Sequence, residues 1–299
     1  MLKHSFITPF ILCSLFFTLT SGCSDEDGKA TEACYDISFN DTLDIENQWN
    51  CSLSGSIVIA DDGNIYMTDF HRDRFLVYSM TGDLIDIWNI ENDSEIMSPI
   101  YLDYKNGIFY SVCWCGYESR IVEFDCNRQI VKSWPERYSR NSFSSYLDAI
   151  AVGDDGSVYT LTQRGLIVKY NNNGDYDLEW QLQFGSANGI TLGIDNNVYI
   201  SEVNHNQVTI YSCWGDFLDI LGGDDFIFDH PTGMITNECD NICVCEFGRN
   251  RMAIFNTNGT FRGYVNFFLV NEGPRCIAIK DEFINVTYDD GIVRQYVTE

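Results

Sequence analysis

One stretch of about thirty residues recurs along this chain, and its recurrence limits the fold more than any other feature. Residues 57–88 begin with the apolar run Ile57-Val58-Ile59 and the turn Asp61-Asp62-Gly63-Asn64, whose residues tolerate the positive φ of a tight hairpin. Ile65-Tyr66-Met67 follows, then a polar loop, Phe75-Leu76-Val77-Tyr78, a second turn at Thr81-Gly82-Asp83, and Leu84-Ile85-Asp86-Ile87-Trp88. Four short strands and three connections make an antiparallel meander. A lone sheet of this kind cannot bury both faces, so it needs neighbours of its own type.

The neighbours are in the sequence. Tyr66 precedes Tyr78 by twelve residues, as Tyr199 precedes Tyr211 and Cys243 precedes Phe255. Looser copies put Tyr110 before Phe124, Tyr159 before Tyr170 and Asn285 before Tyr296. The second-strand anchors fall at 66, 110, 159, 199, 243 and 285, in steps of 44, 49, 40, 44 and 42. Four strands per period of forty to fifty residues is the pattern of a β-propeller, so the expectation is an all-β chain with six four-stranded antiparallel blades. The last repeat has only three strands before the chain stops. Residues 42–49 read as a fourth strand without its first three, so they are expected to complete blade six and close the ring, which removes exposed edges.

The first forty residues read differently. Lys3 and His4 precede a mostly apolar run, residues 6–19, too short to span a bilayer and placed where the h-region of an export signal belongs. It ends in Leu19-Thr20-Ser21-Gly22-Cys23, which resembles the lipobox of bacterial lipoproteins, with Thr20 where that family usually has Leu. The resemblance implies a signal peptide over residues 1–22, a lipid on Cys23, and a polar tether over residues 23–41 ahead of the propeller at 42–299. The site would then be the bacterial cell envelope, on the outer-membrane or periplasmic side, with the membrane met only through the anchor. Cleavage of an ordinary secretory signal between Gly22 and Cys23 is the alternative.

Charge and cysteines narrow the partners. The chain has 44 acidic residues against 18 Lys and Arg, which argues against nucleic acid, because affinity for phosphate backbones comes from cations displacing counterions. Apart from Cys13 and Cys23, ten cysteines remain, enough for five disulfides in an oxidising compartment. The Cys113-Trp114-Cys115 and Cys243-Val244-Cys245 spacings put each pair on one strand face rather than at a zinc or redox site. Cys34 and Cys51 bracket the closing strand, where a bond could lock the seam.

Family resemblance enters with Pro231-Thr232-Gly233-Met234-Ile235, Asp62-Gly63-Asn64-Ile65-Tyr66, and the spacings of Asp69 to Arg74 and Glu246 to Arg251. These look like NHL repeats, which build six-bladed propellers. The resemblance implies a ligand site where the loops between second and third strands gather. Candidates there are Phe70, His71 and Arg72 in blade one, Trp114 and Tyr117 in blade two, Arg164 in blade three, His205 in blade four and Arg249 in blade five. Rings interleaved with Arg suit a glycan, a peptide or a protein surface.

The expected function is therefore a binding module, monomeric, with no cofactor and no catalytic residue assigned. A metal-dependent lyase or lactonase with its site in the channel is one rival, and a scaffold is another. Asp69, Glu202 and Glu246 share a position and could in principle ring a calcium ion, but two of them have an Arg five residues on, which reads as a structural pair. Zinc would need converging histidines. His71 and His205 fall on opposite sides of a six-fold ring, which leaves His230, at the head of blade five, as a weak ligand candidate.

Overall fold

The computed structural model describes residues 42–43, 45–50, 55–90, 98–114, 119–135, 147–162, 164–183, 187–223, 226–267 and 272–298. Cys23, Cys34, Cys51 and Tyr117, together with the signal and tether segments over residues 1–41, lie outside them.

The repeat folds as its period requires. Blade one consists of Ile57–Ile59, Ile65–Asp69, Arg74–Tyr78 and Leu84–Asn89, paired antiparallel in sequence order. Four further four-stranded meanders and a last one of three consecutive strands follow, and all six second-strand anchors lie in the second strand of their blade. The inner strands contact one another around a closed ring, the inner strand of blade six meeting that of blade one. The protein is a six-bladed β-propeller.

Burial follows strand rank. Second and third strands are sandwiched between blades and read as continuous apolar runs; in blade four, Val198–Glu202 is buried at every position. Fourth strands face outward, and in blade one every residue of Leu84–Asn89 except Trp88 is exposed. Such Trp residues staple blade to blade. Trp134 of blade two and Trp180 of blade three lie against Gly174 and Gly215, in the next blade's turn between third and fourth strands. Each glycine has a positive φ, and a Cβ there would come within 3 Å of the indole. Only glycine meets both demands.

The N-terminal strand divides its pairing. Ile45–Asn50 pairs antiparallel with Ile292–Val297 as the fourth strand of blade six. Thr42–Leu43, expected to belong to the same strand, instead pairs parallel with Phe261–Phe267 on the outer edge of blade five. The edge of a sheet offers unpaired backbone groups, and these two residues meet part of that demand. Trp49 lies against Gly82 of blade one, repeating the Trp–Gly staple across the seam.

The ten cysteines do not all pair. Cys126, Cys213, Cys243, Cys245 and Cys276 are free thiols, while Cys239 is disulfide-bonded. Cys243 and Cys245 do share a strand face, but that face packs into the apolar layer between blades five and six, with Met252, Ile277 and Ile284. There they act as small hydrophobes, and burial pushes the Cys243 thiol up to about 12.

Candidate functional site

The loop face is built from one local motif used three times. In blades one, four and five the second strand ends in a buried acid (Asp69, Glu202, Glu246), followed by a single 3-10 turn. The turns are Phe70–Arg72, Val203–His205 and Phe247–Arg249, closed by the left-handed residues Asp73, Asn206 and Asn250. Asp and Asn tolerate that conformation better than other side chains. A 3-10 turn carries the side chain three positions on back over the acid. Hence Arg72 reaches Asp69 at 3.6 Å and Arg249 reaches Glu246 at 3.3 Å. The third strand then starts with a second arginine: Arg74 Nε lies 2.7 Å from Asp69 and Arg251 Nε lies 2.5 Å from Glu246.

The sequence candidates spread around this face. Phe70 is partly exposed and meets the His71 ring edge-on at 5.3 Å. Arg164 is exposed in the blade-three loop, and its carbonyl accepts a hydrogen bond from Gln181. Trp114 ends the second strand of blade two, its backbone N–H donating to the Ser98 carbonyl at 2.9 Å.

Blades four and five bring candidates together. His230 is held at φ 53°, its N–H donating to Asn206 Oδ1 at 2.9 Å, so it lies beside the turn that carries His205. Its imidazole Nδ1 is 2.7 Å from Asp229, which Arg249 also approaches at 3.6 Å. Asp229 in turn donates its backbone N–H to Glu246 at 2.9 Å. A neighbouring group escaped the sequence reading: Arg275 forms a two-point ion pair with Asp289, at 2.6 and 2.8 Å, and stacks 4.7 Å from the Phe247 ring. Arg275, on the first strand of blade six, and Asp289, in the turn after its second strand, are fourteen residues apart, a spacing with no local signature.

The axial channel is a second concavity. It encloses about 500 Å³ and is lined by the inner strands of all six blades. Its lining takes in residues of the hairpins between first and second strands, with Lys105 and Asp154 forming an ion pair across blades two and three. Asp103 projects from the blade-two strand, accepts the Val152 N–H at 2.8 Å, and is pushed by burial up to about 6. Among the described residues no three His, Cys, Asp or Glu side chains are grouped to hold a metal ion. His230 points its Nδ1 at Asp229 rather than at another histidine.

No protein-family model matches the chain, and no curated protein matches it in sequence. Solved structures do. A catalytically inactive histidine-to-alanine virginiamycin B lyase from Staphylococcus aureus, with quinupristin, is 17% identical over 81% of this chain and 80% of that one, with a TM-score of 0.60. A streptogramin B lyase is 14% identical over 84% of this chain and 97% of its own, with a TM-score of 0.61. A chain of a mitotic checkpoint complex matches at 8% identity and a TM-score of 0.58. At these identities the likeness is one of fold.

Proposed function

We propose that this chain is an exported propeller of NHL type, tethered to the bacterial envelope by a lipid on Cys23, that binds a peptide, protein or glycan on its loop face. The observation that carries the reading is the arrangement over blades four to six. Exposed or half-exposed His230, Arg249 and Arg275 are each held by a carboxylate, Arg275 stacks on the Phe247 ring, and His205 stands half-exposed over Glu202. Preset aromatic and cationic side chains at a rigid rim lose little entropy on binding, which suits recognition. Phe70, His71, Arg72 and Arg164 extend the same rim through blades one and three. The test is an array of peptides and glycans probed with the mature chain and with a Phe70→Ala/Arg249→Ala/Arg275→Ala variant. A ligand whose Kd weakens tenfold or more in the variant supports the reading; ligands that bind both proteins equally would place recognition elsewhere.

The lyase reading has its own support in the Asp229–His230 pair. A carboxylate on Nδ1 leaves the other imidazole nitrogen for proton transfer, as general-base catalysis needs, and the lyases above share the fold. Incubation with quinupristin decides this reading: turnover lost in His230→Ala would favour it, and unchanged substrate would remove its main support.

A further inference from the structure

Two of the three buried acids on the loop face are answered twice by their own blade, and the third is not. The residues three and five positions after the acid are Arg72 and Arg74 in blade one and Arg249 and Arg251 in blade five. In blade four they are His205 and Gln207. Glu202 is as completely buried as Asp69 and Glu246, yet among the described residues it forms no ion pair with Lys or Arg, only the contact with His205. Thr209 donates to its Oε1 at 2.7 Å, and His205 Nδ1 stands 3.8 Å from Oε2. Among the described residues Oε2 makes no hydrogen bond of normal geometry, and neither does the buried amide nitrogen of the neighbouring Gln207. Burial pushes the Glu202 carboxyl above its usual range, the Thr209 hydrogen bond, the His205 charge and the neighbouring Gln207 amide opposing this only in part. A buried carboxylate oxygen with no donor is costly to keep.

We propose that blade four is where the loop face takes a basic group of its ligand, the guanidinium of an arginine side chain in a peptide or protein, seated on Glu202 as Arg251 is on Glu246. The filled blades show the chemistry. In both, the donor nearest the acid is an arginine Nε, whose planar fork matches a carboxylate better than a lysine ammonium does. With Oε1 engaged by Thr209, Oε2 is the acceptor left for it. His205 is half-exposed over the acid, at the position where blades one and five carry their outer arginine, and it is the side chain that yields as the ligand enters. His230, fixed to Asn206, borders the same place. This inference rests on the loop face being the binding surface, and it narrows the ligand to one that carries a cation.

The test uses Nα-acetyl-L-arginine amide as probe, with the neutral Nα-acetyl-L-citrulline amide as its isostere. Both are titrated into the full chain and followed by calorimetry and by the His205 imidazole resonances. The arginine compound should saturate, shift the His205 signals, and bind at least tenfold more tightly than the citrulline compound. Gln207→Arg, which supplies the guanidinium in cis, should lower affinity for the arginine compound at least tenfold without loss of melting temperature. Glu202→Gln should do the same to binding. Because Gln207→Arg keeps the Glu202 carboxylate and breaks no hydrogen bond of normal geometry, it keeps the test sharp even where Glu202→Gln folds poorly. Equal response to the two compounds, no response to either, unchanged binding by Gln207→Arg, or the His205 shift appearing with calcium or magnesium in place of arginine would each overturn the proposal. A loop-face ligand that has no basic group would overturn it too, while leaving the loop-face reading intact.

Discussion

Blade five and blade four carry the same local fold, yet their acids live in different surroundings. Glu246 accepts the Asp229 N–H, Arg249 and Arg251, while Glu202 keeps one hydroxyl and a histidine that is charged only when protonated. Blade one resembles blade five, with Asp69 between Arg72 and Arg74. A repeated scaffold with one member changed separates what the fold needs from what it merely allows. The backbone turn forms with or without the arginines. The ion pairs therefore answer the cost of burying the acid and do not shape the loop.

The largest effect should come from emptying the filled blade. Glu246→Ala leaves Arg251 against an apolar wall and should cost about 3–5 kcal/mol in chemical denaturation, the range for breaking a buried pair. Glu202→Gln should cost far less or stabilise, since no cation loses its partner; equal losses in the two blades would break the comparison. Arg251→Gln, which gives blade five the residue of blade four, should fall in between. That variant also surrenders the stacking of Arg251 on Tyr264, 3.3 Å from the ring centre, so a loss of about 2–3 kcal/mol is expected from a charged hydrogen bond and a cation–π contact together.

A pH series sharpens the contrast further. The folded Glu202 holds its proton to higher pH than the unfolded chain does, so the folded state binds more protons and stability falls as pH rises past the unfolded value. Relative to wild type, Glu202→Gln should gain stability as pH climbs from about 4 to 7, and the two should converge at acid pH. A gap that does not change with pH would contradict the raised carboxyl. The smallest effect is expected from His205→Ala, within about 1 kcal/mol at neutral pH, because a half-exposed imidazole at 3.8 Å contributes little.

How much of this was legible before folding depended on the range of the interaction. The blades were readable because a period of two within strands and of forty to fifty between them is written in Tyr66, Tyr110, Tyr159 and Tyr199. The inner ion pairs were readable too, since Asp69 to Arg74 spans a fixed loop. Arg72 and Arg249 read as ligand-binding candidates, and their pairing with the acids was not visible because only the 3-10 geometry turns them back over the acid. The Gln207 substitution stood in plain view, but a missing partner signifies something only once the acid is known to be buried. Arg275 with Asp289, and the apolar setting of Cys243 and Cys245, depend on pairings between strands or blades that no local spacing encodes. Thr42 and Leu43 were assigned to the wrong blade because two residues carry no register of their own.

The most direct test of the central claim, that blade four buries an acid which no described arginine answers, is the melting temperature of Gln207→Arg at neutral pH. An arginine that seats on Glu202 as Arg251 seats on Glu246 should raise it by roughly 2–4 °C, the shift expected of about 1 kcal/mol in a domain of this size. A fall of similar size would mean that the space beside Glu202 does not accept a guanidinium, and the account of blade four would be wrong.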